Sequence, residues 1–140
     1  MIIREIEDLA TALEENDLSN VSAENLLRSS CSKHYYHLFH LVGEWLKRRF
    51  SSFIKSSGGS THQTLRVCCE LLSDHYNDKD FQKINLKLKA LHDVRVHADY
   101  RLGDDFKTTN LMIMKSEKNR IFELITNIEV KYFSSQVKEA

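Results

Sequence analysis

The chain of 140 residues is long enough to bury a hydrophobic core and has the size of one domain. Its 20 basic and 20 acidic residues cancel, so the overall charge does not indicate a nucleic-acid partner. No stretch approaches the roughly 20 apolar residues that a membrane-spanning helix needs, and the acidic first segment is unlike a signal peptide. We therefore expect one globular domain, covering residues 1–140, that works in the cytoplasm and away from membranes.

The three cysteines indicate reduced thiols and not a metal or disulfide site. Cys31, Cys68 and Cys69 are odd in number and lack the CxxC spacing that is typical of zinc and redox sites. Disulfides are also rare in the reducing cytoplasm. We expect free thiols, and no motif in the sequence calls for a metal ion or another cofactor.

Long helices are predicted for the first half of the chain, because it contains no proline and few glycines. A first helix, from about residue 2 to 15, carries apolar residues at 4-3-4 spacing. A second helix begins after the cap residue Ser22 and extends to about Ile54. A third helix begins at the cap residue Ser60, within a capping-box pattern, and extends to about Tyr76.

Two more helices are predicted for the second half of the chain, each with an apolar stripe. A fourth helix begins at the cap residue Asp80, and its stripe contains Ile84, Leu88, Leu91, Arg95, Ala98 and Leu102. A fifth helix runs from about residue 107 to 133, with a stripe of Met114, Ile121, Ile125, Ile128 and Tyr132. No segment alternates apolar and polar residues with the period of a strand. The predicted fold class is all-α, an up-and-down bundle of four to five helices.

Arg95 is the unexpected member of the fourth stripe. A guanidinium stays charged, so on a buried face it needs an anion or several hydrogen-bond acceptors. Asp99 lies one turn later and His92 one turn earlier, so these residues form a polar line beside the core. His97 is two residues from Arg95, about 200° around the helix, and points elsewhere. The pattern fits a structural Arg95–Asp99 ion pair, and it also fits a site that holds phosphate.

Three motifs, in order along the chain, resemble the HEPN domain family. "SCSKHYYHLFHLVGEWL" (30–46) is similar to the family's second-helix signature, in which a small residue precedes a Tyr-Tyr pair and then Phe-His. "STHQTL" (60–65) is similar to the Ser/Thr-His segment that opens the next helix in one prokaryotic branch. "LKALHDVRVHADY" (88–100) resembles that branch's Leu-x-x-x-Arg-x-x-Ala-Asp-Tyr motif. The five-helix layout extends the resemblance over nearly the whole chain.

The resemblance implies a helical bundle that forms a homodimer and, in many HEPN proteins, cleaves RNA without a metal ion. An Arg that binds phosphate and a His that transfers protons near neutral pH are chemically suited to this reaction. The implied catalytic residues are Arg95, His97 and Tyr100, with His62 as a further candidate, and Asp99 is an implied binding residue. His92 is a further binding candidate because of its place in the polar line. The implied role is an RNA-cleaving or RNA-binding toxin or anti-phage effector of a two-component bacterial system. Its partner would be a cognate antitoxin or a nucleotidyltransferase-like protein.

The spacing of Arg and His leaves a second interpretation open. In the family, a His follows the catalytic Arg after four to six residues, and no His stands at that distance from Arg95. Arg28 and His34 have the right spacing but lie on the second helix, where the family does not place the motif. The alternative is a non-catalytic HEPN module that serves dimerisation or partner binding, with a purely structural ion pair at Arg95.

Two further groups on the second helix could bind ligands. Lys47, Arg48 and Arg49 suit the negative end of a helix dipole and are also candidate phosphate contacts. The histidines at 34, 37 and 40 recur every three residues, whereas zinc-binding pairs on a helix usually stand four residues apart. Buried or surface histidines are therefore the better interpretation of this second group.

Overall fold

The computed structural model of the protein describes residues 3–15, 22–58 and 61–139, with side chains up to residue 134. These residues form six helices and no strand, which confirms the predicted all-α class. The helices are α1 (Ile3–Glu15), α2 (Ala23–Arg49), α3 (Ser51–Ser56), α4 (Thr61–Tyr76), α5 (Lys79–Tyr100) and α6 (Thr108–Glu139). The central α2 packs against every other helix, and α5 packs against α4 and α6. None of the described helices has the length and apolar character to cross a membrane.

Helix α2 ends earlier than predicted, because Phe50 takes a buried position outside the helical conformation. Its φ of −136° and ψ of 45° interrupt the helix, although its N–H still donates to the Leu46 carbonyl at 2.8 Å. The Phe50 ring makes edge-on contacts with Trp45 and Phe81, at centroid distances of 5.4 and 5.7 Å. The chain turns at this aromatic cluster so that α3 packs against α4. The prediction of one continuous helix to Ile54 is therefore wrong.

The turn between α4 and α5 sets the start of α5. Asn77 has a φ of 50°, the left-handed conformation that commonly ends a helix. The next residue, Asp78, accepts a hydrogen bond from the Asp80 N–H at 2.9 Å, so Asp78 is the N-cap. The predicted cap, Asp80, lies inside the first turn. At the start of α2, the predicted cap Ser22 accepts a hydrogen bond from the Asn25 N–H. The predicted cap Ser60 and the predicted start of α1 at residue 2 both lie outside the described residues.

The core is formed by the apolar stripes of the long helices. Predicted stripe members that are buried include Ile84, Leu88, Leu91, Ala98, Met114, Ile121 and Ile128. Leu102 does not belong to the stripe, because α5 ends at Tyr100 and leaves the Leu102 side chain 70% exposed. All three cysteines are free and buried, and burial raises the pKa of the Cys31 thiol to about 12. The thiol therefore stays protonated and unreactive at neutral pH.

A buried guanidinium from α2 caps the carboxyl end of α5. Arg28 is 4% exposed, and its Nη1 donates to the backbone carbonyls of residues 97, 98 and 101 at 3.0–3.2 Å. Its Nη2 donates to Glu24 Oε1 at 3.2 Å and to the carbonyl of Asp104. The last carbonyls of a helix have few partners within the helix, and Arg28 supplies a donor to them. The carbonyls of residues 97 and 101 also accept from the backbone N–H groups of residues 101 and 104, whereas the buried Ala98 carbonyl accepts from Arg28. This capping role explains the buried position of Arg28. It does not involve His34, which stands at the family's catalytic spacing from Arg28 in the sequence.

Candidate functional site

Arg95 lies at the edge of the core, where α5 packs against α2. It is 9% exposed, and its Nε is 2.8 Å from Oδ2 of Asp99. The Nε–H does not point along a hydrogen-bond line, so this contact is an ion pair. Nη2 donates to the Tyr36 hydroxyl at 2.5 Å, and the guanidinium lies 5.1 Å from the centre of the Tyr36 ring. The predicted pairing with Asp99 and the partial withdrawal of Arg95 from water are both observed.

Tyr100 lies between Arg95 and solvent. The centre of its ring is 5.4 Å from the Arg95 guanidinium carbon, and the residue is 68% exposed. On the other side, Asp99 accepts a hydrogen bond from Ser32 of α2 at 3.2 Å. The cation is thus held by two aromatic rings and one carboxylate, contacts that stabilise its charge at a partly dry position.

Two histidines from neighbouring helices interact electrostatically with this arginine. The ring centroids of His62 in α4 and His92 in α5 are 4.9 Å apart, and both side chains are half-buried. The Tyr35 hydroxyl is 2.8 Å from Nδ1 of His62, and the Phe39 ring lies 4.7 Å from the His62 ring, so the imidazole is held in one orientation. We call His62, His92 and Arg95, with Tyr36 and Asp99, the His–Arg cluster.

Burial and the neighbouring charges of Arg95 and Arg66 favour the neutral form of both imidazoles. Burial lowers the pKa of His62, the charges of Arg95 and Arg66 lower it further, and so does His92 when it is protonated. Burial also lowers the pKa of His92, and Arg66 and Arg95 act in the same direction. Each imidazole is therefore a proton acceptor at neutral pH. A bound phosphate would bring negative charge to the same place and raise both pKa values.

The structure places His97 away from the cluster. Its ring lies edge-on against Phe106, in the loop after α5, at a centroid distance of 5.4 Å. Its Nε2 is buried and has no hydrogen-bond partner among the described residues. Of the candidate histidines from the sequence, His62 and His92 come together with Arg95, and His97 does not. The separation follows from the helix geometry, since residues two apart point to different sides.

The three basic residues at the end of α2, Lys47, Arg48 and Arg49, do not share one environment. Lys47 and Arg48 are exposed and are available to a ligand. Arg49 pairs with Glu129 of α6 at 2.9 Å, and its guanidinium lies 4.2 Å from the centre of the Phe133 ring. The Arg49 contacts join α2 to α6 and indicate a structural role for this residue.

Two of the three regularly spaced histidines are buried against a lysine of α6. Nζ of Lys118 lies 3.0 Å from Nδ1 of His34 and 3.1 Å from Nδ1 of His37. His40 is exposed and stacks against Tyr36, at a ring distance of 6.5 Å. The three histidines therefore do not form one site, and the two buried ones belong to an ion network inside the bundle.

Sequence reasoning missed three members of the site's surroundings, namely Tyr35, Tyr36 and Arg66. The Tyr-Tyr pair was visible as part of a motif, but its hydrogen bonds to His62 and Arg95 require the packing of α2 against α4 and α5. Arg66 stands four residues after His62 on α4, so a search for cations one turn from a candidate histidine would have found it.

Comparison of the chain with protein-family models, with curated proteins and with solved structures gives no significant match. The HEPN resemblance thus depends on the three motifs alone. Since a helical bundle can carry many functions, the function has to be argued from the chemistry of the His–Arg cluster.

Proposed function

We propose that the protein is a HEPN-like ribonuclease whose His–Arg cluster binds and cleaves RNA without a metal ion. The observation that carries the proposal is the meeting of two neutral imidazoles, His62 and His92, with the guanidinium of Arg95. The three side chains come from two helices and lie at the protein surface or just below it. Phosphodiester cleavage needs a general base, a general acid and a positive charge near the phosphate, and these three side chains can supply them.

The reaction would use these groups in defined roles. Arg95 holds the phosphate oxygens and stabilises the charge that develops on them. One imidazole, in its neutral form, takes the proton of the ribose 2′-hydroxyl while that oxygen attacks phosphorus. The other takes up a proton when the bound phosphate raises its pKa, and gives this proton to the 5′-oxygen as the P–O5′ bond breaks. The products are a 2′,3′-cyclic phosphate and a 5′-hydroxyl. The exposed ring of Tyr100 is placed to stack on an adjacent base.

The proposed biological role is a toxin or anti-phage effector of a two-component bacterial system. A homodimer, or a complex with an antitoxin or a nucleotidyltransferase-like protein, is part of this proposal. Large apolar side chains on either side of the α5–α6 loop are more than half exposed, namely Tyr100, Leu102, Met112 and Ile113. Exposed apolar groups of this kind favour coverage by a partner, here a second copy or the cognate protein.

Replacing either cluster histidine is expected to abolish cleavage while the fold is kept. His62→Asn and His92→Gln should each lower the cleavage rate by roughly 10²–10⁴-fold, the usual contribution of a proton-transfer group. Single-stranded RNA is incubated with purified protein in EDTA, and the products are separated by gel electrophoresis. His75→Gln is the matched control, because His75 lies exposed on the same helix as His62. Cleavage that survives both cluster substitutions would contradict the proposal.

A second candidate function, the non-catalytic module, is favoured by one observation. Arg95 is 9% exposed and already has Asp99 and Tyr36 as partners, as a purely structural residue would. In that case its contacts serve only to hold α5 against α2, and the protein acts by binding a partner.

Arg95→Ala distinguishes the two candidate functions. We expect a loss of about 1–3 kcal/mol in the free energy of unfolding, because one polar contact network is removed, together with a loss of RNA cleavage. Urea unfolding and the cleavage assay are performed on the same preparation, with Lys89→Ala as an exposed control on α5. A loss of roughly 3–5 kcal/mol in a protein whose parent never cleaves RNA would favour the non-catalytic module.

A further inference from the structure

A cleft of about 400 Å³ opens beside the His–Arg cluster, between α2, α3 and α4. Phe39 is the wall that the two share, since it lines the cleft and its ring centroid is 4.7 Å from that of His62. Ile54 and Leu65 add apolar surface, and Thr61 adds a hydroxyl. Both the volume and the mixed lining are in the range of small-ligand sites.

A glycine in the middle of α2 keeps this cleft open. A Cβ at Gly43 would meet only Leu65 Cδ2, at 3.8 Å, which is an ordinary van der Waals contact. Close helix packing therefore does not require glycine here, and glycine in a helix interior is less favourable than alanine. What glycine provides at this position is space next to Phe39, in a cleft that Gly43 itself lines.

The polar side chains at the mouth of the cleft have opposite hydrogen-bonding character. Glu44 and Lys47 are exposed, line the cleft and stand about one turn apart on α2. A carboxylate only accepts hydrogen bonds, and an ammonium only donates them. The cleft thus offers an aromatic ring, an acceptor and a donor, and the same ring, Phe39, contacts His62 of the His–Arg cluster.

We propose that this cleft binds an unpaired guanine base of the RNA whose phosphate lies at the His–Arg cluster, an assignment that rests on the proposed function. Guanine presents N1–H and the exocyclic amine side by side, and a carboxylate such as Glu44 can accept from both. Its O6 and N7 are acceptors for a cation such as Lys47. Adenine and cytosine each place a ring-nitrogen acceptor next to their amine, which a carboxylate disfavours, and uracil has one donor between two acceptors. Stacking on Phe39 would hold the base plane.

The direct test of the proposed base site is to fill the cleft with a leucine side chain at position 43. The probes are fluorescently labelled RNA strands with one guanosine, adenosine, cytidine or uridine among abasic positions, and a fully abasic strand. Binding is measured by anisotropy, and Gly43→Leu is expected to weaken binding of the guanosine strand about tenfold, the scale of one lost stacked base. Binding of the abasic strand should not change. Ser29→Leu, at an exposed position of the same helix outside the cleft lining, is the matched control and should bind like the parent.

Glu44→Gln provides a second variant that does not depend on packing in the cleft. It is expected to reduce the preference for guanosine over adenosine and to leave the melting temperature unchanged, because Glu44 is exposed. Equal binding of all four bases by the parent, or unchanged guanosine binding in both Gly43→Leu and Glu44→Gln, would overturn the assignment. RNA cleavage without guanine preference would overturn it and leave the proposed function standing. Guanosine binding that both variants weaken would support the cleft even in a protein that does not cleave RNA.

Discussion

Replacing Arg28 with alanine is expected to lower the free energy of unfolding by roughly 3–5 kcal/mol, a large part of the total for a domain of this size. The side chain is buried and donates to four backbone carbonyls at the end of α5 and in the loop that follows. Alanine would remove a donor from all four carbonyls, and it would leave the buried Ala98 carbonyl without the donor that it has in the folded protein. Thermal and urea unfolding at pH 7 measure the loss.

Arg28→Lys is expected to recover only part of this stability. An ammonium has a single nitrogen, whereas the guanidinium reaches the carbonyls through Nη1 and Nη2 in a fixed plane. Arg48→Ala is the matched control, since Arg48 is exposed on the same helix and should cost less than about 0.5 kcal/mol. If Arg28→Ala unfolds at the same urea concentration as the parent, the capping role is wrong.

The partner of a buried cation could be predicted from the sequence when it lies on the same helix, and not when it lies on another helix. Arg95 was recognised because it interrupts an apolar stripe, and its partner Asp99 was found because both residues lie on one helix. Lys118 also interrupts a stripe, between Met114 and Ile121, and is 3% exposed. Its partners come from other helices, so spacing along one helix could not identify them. Arg28 was missed for the same reason, because its acceptors are the backbone carbonyls of another helix.

The boundaries of the helices show a similar division. The spacing of apolar residues predicted the carboxyl ends of α1 and α4 and the start of α6 to within about two residues. The carboxyl end of α6 was predicted at about residue 133, whereas the helix continues to Glu139. The break at Phe50 was missed, since it depends on an aromatic cluster assembled from four different parts of the chain. The cap at Asp78 was missed because Asp80 offers the same side chain, and the left-handed turn at Asn77 decides between them.

The candidate site could be predicted only in part for the same physical reason. Motifs singled out Arg95, Asp99, Tyr100 and His62 as candidates. His97 was also a catalytic candidate, although the helix period separates it from Arg95, and its ring lies against Phe106 instead. The pairing of His62 with His92 depends on how α4 packs against α5, which no local pattern contains. The lowered pKa values of these histidines depend in turn on that packing, because burial is their largest cause.

The ion network around Lys118 joins α1 to the rest of the bundle. The ammonium lies within 3.4 Å of Glu7 Oε1 and contacts Nδ1 of both His34 and His37. On their other sides, Nε2 of His34 lies 3.7 Å from Glu14 and Nε2 of His37 lies 3.5 Å from Glu7. The charged groups around the imidazoles are Lys115 and Lys118 of α6, with Glu7, Asp8 and Glu14 of α1. A charged lysine donates, so both Nδ1 atoms act as acceptors and both imidazoles are neutral.

Acid should therefore destabilise the protein through these two histidines. Burial, followed by the charge of Lys118, lowers the pKa of His34 to about 4 and also lowers that of His37. An unfolded chain takes up these protons near pH 6.5, so stability begins to fall below that pH, and the contribution of His34 is fully lost below about pH 4. For His34 the gap of about 2.5 pH units corresponds to about 3 kcal/mol, and His37 adds to it.

The measurement is the free energy of unfolding in urea at intervals from pH 7 to pH 4, for the parent and for a His34→Asn/His37→Asn double variant. Asparagine keeps an acceptor near the position of Nδ1 but does not titrate, so the variant should lose several kcal/mol less than the parent over this interval. Carboxylates away from this network respond to acid alike in both proteins, so the difference between the two curves reports the two histidines together with their partners Glu7 and Glu14. His75→Asn, at an exposed position, should follow the parent. Parallel curves for parent and double variant would show that the imidazoles are not held neutral by Lys118, because a protonated Nδ1 could not accept its hydrogen bond.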